Sequence, residues 1–193
     1  SRDYQKQAER KILEKKFGRK EFLSSLELNA VIRPVTNETL PRTVQMLAKT
    51  NQFNLTTKRH SNSEVRKMLN NSDNVLLTLS LKDRFGDQGI VGLCIALSTD
   101  KNKGEMVIDT LLMSCRALGR GAEDALWSVL LDYLNNRKCT LLKASYIKSE
   151  NNKQVSNLFE RLGTQIELVD NNGKQYLLKL PHHVAVPEWI TVD

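Results

Sequence analysis

Three apolar runs follow one another through the middle of the chain, NVLLTLSLKD (74–83), GIVGLCIALS (89–98) and EMVIDTLLMSC (105–115), parted only by RFGDQG and TDKNKG. Runs of this length, rich in Leu, Ile and Val and bounded by Gly, Asp and Asn, predict strands joined by hairpins. Successive hairpins give antiparallel neighbours, so the centre of the molecule is expected to be a sheet. Everything else must cover that sheet or extend it.

The flanking segments fit this requirement. Before the three runs come a short strand, VIRPV (31–35), with Pro34 suited to a strand end, and a helix over 39–50 with Pro41 allowed in its first turn. A polar link, NQFNLTTKRHS, leads to a second helix, SEVRKMLNN, with Ser61 or Ser63 as N-cap. After the runs come a helix over about 121–136, a strand LLKASYI, a helix NKQVSNLFERL stopped by Gly163, and two strand-like runs, TQIELV and KQYLLKL. The tail HHVAVPEWITVD reads as extended. The order predicts an α+β domain with a central, mostly antiparallel mixed sheet flanked by helices.

Residues 2–17 have helical spacing (Tyr4, Ala8, Ile12) but a thin apolar stripe, and Gly18 can end the helix. The expected division is therefore a basic connector region, 1–26, and a domain, 27–193. The connector either docks on the domain or leads in from another one. Residues 1–21 hold eight cations against four acids, more than half of the net charge of +7. The remainder is mildly basic, with 6% aromatic residues and no basic stripe interleaved with them. A nucleic-acid platform is not expected. No apolar stretch approaches the ~20 residues of a membrane span, and SRDYQKQAERK has no apolar core of a secretory signal. Cys94, Cys115 and Cys139 stand far apart with no Cys or His cluster, which argues against disulfides and structural zinc. The reading is a reduced, cytoplasmic protein with no metal site.

The chemistry concentrates where the third run ends. Arg116, Gly119 and Gly121 stand at R-x-x-G-x-G spacing in SCRALGRGA, between a strand and a helix. Unpaired N–H groups and glycines at such a place suit a phosphate. The same glycines also suit a tight packing turn, and Glu123 and Asp124 in the first helical turn would offset the dipole themselves.

The element order with this motif resembles the GNAT acyltransferase superfamily. The resemblance implies that Arg116, Gly119, Arg120, Gly121 and Ala122 cradle the phosphates of coenzyme A, with the pantetheine arm paired to the preceding strand. Asn152, Val155, Phe159 and Gly163 are similar in spacing to the family's N-x-x-A-x-x-x-Y-x-x-x-G pattern, which implies Asn152 as a further cofactor residue. Val155 replaces the usual small residue. Phe159 replaces the Tyr that commonly protonates the departing thiolate, and Phe has no proton to give.

A closer resemblance covers nearly the whole chain. NQFNLTTKRHS, LKDRFGDQGIVG, IDTLLMSCRALGRGAED and NKQVSNLFERLG, in this order, resemble the C-terminal half of FkbH-like proteins. Those join a HAD-type phosphatase-fold half to a GNAT-like half and are associated with loading a glyceryl unit onto an acyl carrier protein in polyketide biosynthesis. The phosphatase half needs a D-x-D loop, and the chain has none, so an upstream HAD-type domain is an expected partner. The resemblance implies either coenzyme A or carrier-protein phosphopantetheine as cofactor.

Among candidate catalytic residues, Asp109 is an acid on an apolar run, sharing a strand face with Val107, Leu111, Met113 and Cys115 by parity. It suits a base or a group that orients the nucleophile; equally, it suits bonding a neighbouring loop. Cys115 adjoins the cradle, where positive charge favours the nucleophilic form of a thiol, and it could carry a transient acyl thioester. The plainer role is a small packed hydrophobe. Six residues of strand, about 20 Å when extended, keep Asp109 and Cys115 from acting on one atom. In the 51–60 link, the resemblance favours Asn54, Thr57 and Arg59 as substrate or pantetheine contacts, with His60 a lone loop histidine. Three functions stay open: glyceryl-type acyl transfer to a carrier thiol, acetyl-CoA-dependent N-acetyl transfer, and non-catalytic docking of the carrier protein.

Overall fold

The computed structural model describes residues 2–99 and 104–193. Helices α1 (Arg2–Lys16) and α2 (Arg19–Ser25) lead into β1 (Leu28–Pro34), α3 (Leu40–Lys49) and α4 (Asn62–Asn70). The three apolar runs form β2 (Val75–Asp83), β3 (Gly86–Ser98) and β4 (Glu105–Met113). Then follow α5 (Ala122–Asn136), β5 (Leu141–Ile147), α6 (Leu158–Arg161), β6 (Gln165–Asp170), β7 (Gly173–Lys179) and β8 (Ile190–Val192). All eight strands join one sheet in the order β6-β7-β5-β4-β3-β2-β1-β8. Its pairs are antiparallel except β4–β5 and β1–β8.

The expected α+β architecture is present. The β2–β3 hairpin closes on Asp83 paired with Gly86, so Arg84 and Phe85 make a two-residue turn. Residues 100–103 of the TDKNKG turn lie outside the described residues. Pro41 sits in the first turn of α3. Ser61, not Ser63, caps α4, with Glu64 closing a reciprocal capping box. The helix expected over NKQVSNLFERL is interrupted: a 3-10 turn at Lys153–Val155 precedes the four-residue α6. The tail is extended but contributes β8, parallel to β1.

Both faces of the sheet's centre are covered, which explains why its central strands read as nearly unbroken apolar runs, whereas the edge strand β6 is exposed throughout. On one face Leu77, Leu79, Leu81, Cys94, Ile108 and Leu111 pack with Trp127, Leu130 and Leu131 of α5. On the other, Leu76, Leu93, Ile95 and Leu112 pack with Leu40, Met46 and Leu47 of α3 and Val65 of α4. Phe22 and Leu23 of α2 and Leu26 just beyond it are buried in the α5-side core. Helix α1 lies outside, with Tyr4 and Ile12 exposed.

Strand β4 is not regular. Ile95 of β3 faces Thr110 and Ala96 faces Ile108, leaving Asp109 as the extra residue of a bulge. The bulge overturns the simple parity expected from sequence. Met106 and Ile108 before it share the α5-side core with Leu111 and Met113 after it.

Candidate functional site

Beyond β4 the chain makes a 3-10 turn, Cys115–Ala117, capped by Ser114, whose hydroxyl accepts from the Arg116 N–H at 3.4 Å. Gly119 and Gly121 take φ of 72° and 78°, in the left-handed region. Their surroundings differ. A side chain at Gly119 would meet nothing within 4 Å, whereas one at Gly121 would come to 3.0 Å from Pro187 and 3.4 Å from Trp189. Trp189 Nε1 also donates to the Arg120 carbonyl at 2.8 Å. The tail therefore buttresses the turn from behind, and Ala122 is fully buried in the core. At the start of α5, Arg161 bonds Asp124 at 2.8 Å and Glu123 at 2.9 Å. The helix terminus is thus already supplied with two carboxylates.

Positive charge at the site comes from elsewhere. A cavity of about 640 Å³ is bordered by Arg116, Gly119 and Arg120, by Arg19 of α2, and by Lys6, Arg10 and Lys11 of α1, against the acids Glu14 and Asp87. Under its wall lies Asp83, whose side chain is 0% exposed. Arg10 bonds both Asp83 oxygens, at 3.0 and 2.9 Å, and Arg120 approaches one at 3.3 Å. One carboxylate thus serves two guanidiniums. Burial, and then the neighbouring charge of Arg10, push Arg120 below its ordinary pKa. A second cavity, of about 440 Å³, is bordered by Arg42, Gln45 and Lys49 of α3 and by Asn51 and Gln52. Cys115 and Leu118 border both cavities. The Cys115 thiol is exposed, so it is not the packed hydrophobe of the plainer reading; Cys94 and Cys139 are buried.

Asp109 belongs to a different cluster. Its carboxylate lies 2.7 Å from His60 Nε2, 3.2 Å from Lys58 Nζ and 2.8 Å from Thr110 Oγ1, which donates to it. Burial would push this carboxyl up, but hydrogen bonds from Thr110 and His60 and the charge of Lys58 hold it below the usual range. Asp109 borders neither of the two cavities that Cys115 borders. The two candidates stay apart, as their spacing implies. His60, read from sequence as a lone loop histidine, is instead held by a buried acid, an arrangement able to orient an imidazole for proton transfer. Nothing within either segment signals this pairing, because the partners are 49 residues apart.

The 51–60 link also has an unexpected place. β4 and β5 pair only over Glu105–Val107 and Leu141–Lys143, then part. Phe53–Thr56 fills the gap. Met113 N–H donates to the Phe53 carbonyl at 2.9 Å, Leu55 N–H to the Leu111 carbonyl at 3.1 Å, and Ile147 N–H to the Leu55 carbonyl at 2.8 Å. All four residues are buried. The strand edge that the resemblance assigns to a pantetheine arm is occupied here by the chain itself.

Four expected ligand contacts are taken up by this arrangement. Asn152, fully buried, donates to the carbonyls of Asn54 and Ile147, both at 2.9 Å, and accepts from Ser149 N–H and the Tyr146 hydroxyl. Asn54 accepts from Thr57 N–H at 2.9 Å and donates to the Thr50 carbonyl at 3.1 Å. Thr57 hydroxyl donates to the Thr56 carbonyl. Arg59 bonds the Leu47 and Thr50 carbonyls at the end of α3, and Asn51. These groups hold the loop, and none of the four borders either cavity. Sequence reasoning thus missed Asp83, Arg10, Lys6 and Lys11 around the first cavity. The signal available was the basic spacing of α1, which by itself reads as a solvated face.

Phe159 is fully buried between Trp127 and Tyr176, with ring centroids 5.6 and 5.3 Å away. Tyr176 donates its hydroxyl to Glu160 at 2.8 Å, and burial pushes its pKa up. Neither Tyr176 nor Tyr146 borders either of these two cavities. Among the described residues no His, Cys, Asp and Glu group could hold a metal ion, and no helix is long and apolar enough to cross a membrane.

No protein-family model and no curated relative matches the sequence. Solved structures do match in fold. The PaiA N-acetyltransferase of Thermoplasma acidophilum, solved with coenzyme A, superposes with a TM-score of 0.62 at 11% identity, over 78% of this chain and 99% of that one. The GNAT domain of S. lividans PAT gives 0.59 at 15%, over 77% and 89%. The ribosomal-protein-S18-alanine N-acetyltransferase of Escherichia coli gives 0.57 at 15%, over 81% and 96%. The chain has the fold of the GNAT acetyltransferases.

Proposed function

We propose that this chain is the acyl-transfer domain of an FkbH-like protein, passing a small, glyceryl-type acyl group to the phosphopantetheine thiol of an acyl carrier protein. The observation that carries the reading is Cys115: an exposed thiol at the end of β4, where two cavities meet. Attack of its sulfur on the acyl carbonyl forms a C–S bond and expels the donor's leaving group, which takes up the proton that the Cys115 thiol releases. Attack by the carrier thiol then forms the product thioester, and the departing Cys115 sulfur takes up the proton that the incoming thiol releases. In the second cavity Gln45, Asn51 and Gln52 stand beside Met46, Phe53 and Met113, a mixed lining whose amides suit an acyl group bearing hydroxyls. A carrier protein, generally acidic, suits the positive surface of α1.

Acetyl-CoA-dependent N-acetyl transfer agrees equally well with the fold. A third reading, carrier docking without transfer, is favoured by one observation: Phe53–Thr56 already pairs with the β4 edge. The test is intact-mass analysis of the chain after incubation with an acyl carrier protein, a glyceryl donor and coenzyme A thioesters. An acyl adduct that is absent from Cys115→Ser and passes to the carrier is expected. Turnover of acetyl-CoA with an amine selects N-acetyl transfer instead. Carrier binding with no transfer leaves docking alone.

A further inference from the structure

Among its described residues helix α1 contributes only Leu13 to the edge of the core, and its Arg10 lies over the Phe85 ring and reaches the buried Asp83 beside Arg120. A connector needs no such anchorage. Lys6, Arg10 and Lys11 thereby border the 640 Å³ cavity that Arg116 and Gly119 also border. Lys6 Nζ lies close enough to Gly86 that a side chain there would come to 3.0 Å from it.

We infer that α1 is a wall of the ligand site, and that Lys6, Arg10 and Lys11 join Arg19, Arg116 and Arg120 in binding the phosphorylated end of a pantetheine-type thioester. The inference rests on the acyl-transfer reading for its ligand, but its physical basis is the charge of the cavity. Six cations surround a space bordered by two acids, and the one carboxylate beneath is shared between two guanidiniums. Cations crowded in this way repel one another unless an anion lies between them. Phosphate esters supply that anion and match the donor geometry of arginine. Phe22, Phe85 and Leu118 add apolar surface to the same cavity. The arm would pass over Leu118 to Cys115, the two residues common to both cavities, and so reach the thiol without entering the occupied gap between β4 and β5.

The test is a calorimetric titration of the intact chain with pantetheine, 4′-phosphopantetheine, coenzyme A and a holo carrier protein. The phosphorylated probes are expected to bind about tenfold or more tighter than pantetheine. The double variant Lys6→Ala/Lys11→Ala is expected to weaken them about fivefold, while leaving pantetheine unchanged. Lys15→Ala removes a charge from the same helix away from the cavity and is expected to change binding less than about twofold. Thermal unfolding of each variant checks that α1 stays docked. Equal binding of pantetheine and coenzyme A overturns the inference, and so does a double variant no weaker than Lys15→Ala. Tighter binding of coenzyme A than of 4′-phosphopantetheine assigns the cavity to the free cofactor, and tighter binding of the holo carrier assigns it to the carrier's arm. Charge-dependent binding without any acyl transfer would remove the proposed function alone; transfer that ignores the α1 charges would remove this inference alone.

Discussion

Asp109 shows how a single residue acquires its meaning from partners far off in sequence. Its bulge turns the carboxylate toward His60, Lys58 and Thr110, where three contacts hold it ionised in a buried place. Lys58 is 43% exposed, so its ion pair is screened by water and contributes little. The hydrogen bonds to His60 and Thr110 carry more. Asp109→Asn is expected to cost about 2 kcal/mol at neutral pH, measured by denaturant unfolding. The sign of the pH dependence follows from the direction of the shift. A carboxyl held below its unfolded pKa of about 3.9 stabilises the fold above that pH and loses the contribution as pH falls through the folded value. The deficit of Asp109→Asn is therefore expected to be full at pH 7 and to shrink below about pH 4. An undiminished deficit in acid would show that the charge of Asp109 is not what stabilises this cluster.

At the scale of elements, the turn after β4 and the segment Phe53–Thr56 make opposite demands on the sequence. The turn is locally encoded: glycines at 119 and 121 supply the left-handed conformations that R-x-x-G-x-G spacing suggests. They are not equivalent, however. Gly119→Ala is expected to cost about 1 kcal/mol for its backbone alone. Gly121→Ala adds overlap with Pro187 and Trp189, and its loss in thermal unfolding is expected to exceed that of Gly119→Ala by about 1–2 kcal/mol. Equal losses would mean that the tail does not buttress the turn. The Phe53–Thr56 segment, by contrast, carries no strand pattern of its own and is held by carbonyls and amides of β4, β5 and Asn152. Asn152→Ala is expected to cost about 3 kcal/mol, since it leaves several buried groups unpaired. Hydrogen exchange at Leu55 and Ile147 is expected to quicken more than at β2 amides. Unchanged exchange there would show that Asn152 is not the tie.

For the whole molecule, the sheet and its two faces set where ligands can reach. Two cavities lie beside the residues just beyond β4, and α1 borders one of them. Because Asp83 holds both Arg10 and Arg120, Asp83→Asn is expected to loosen α1 and to destabilise the fold by about 3 kcal/mol. Limited proteolysis checks this: cleavage before Gly18 is expected to be faster in the variant than in the parent chain. Equal cleavage would mean that α1 is held by something other than this ion cluster. Read from sequence alone, the hairpin strands, a serine-capped helix after residue 60 and the glycine turn were legible, because each depends on neighbours within a few residues; that Ser61 and not Ser63 is the cap came from the structure. Polarity in the 51–60 link was legible too, though not that Asn54, Thr57 and Arg59 would use theirs on the loop itself. The sequence by itself determined an α+β sheet domain and a glycine turn between β4 and α5, since apolar periodicity and glycine stereochemistry act locally. The tertiary structure alone decided that Asp109 meets His60, that Asn152 ties Phe53–Thr56 into the sheet, and that α1 brings its charges to Arg116. The physical reason is common to all three: buried polar groups must find partners, and which partners come within reach is settled only when distant segments pack.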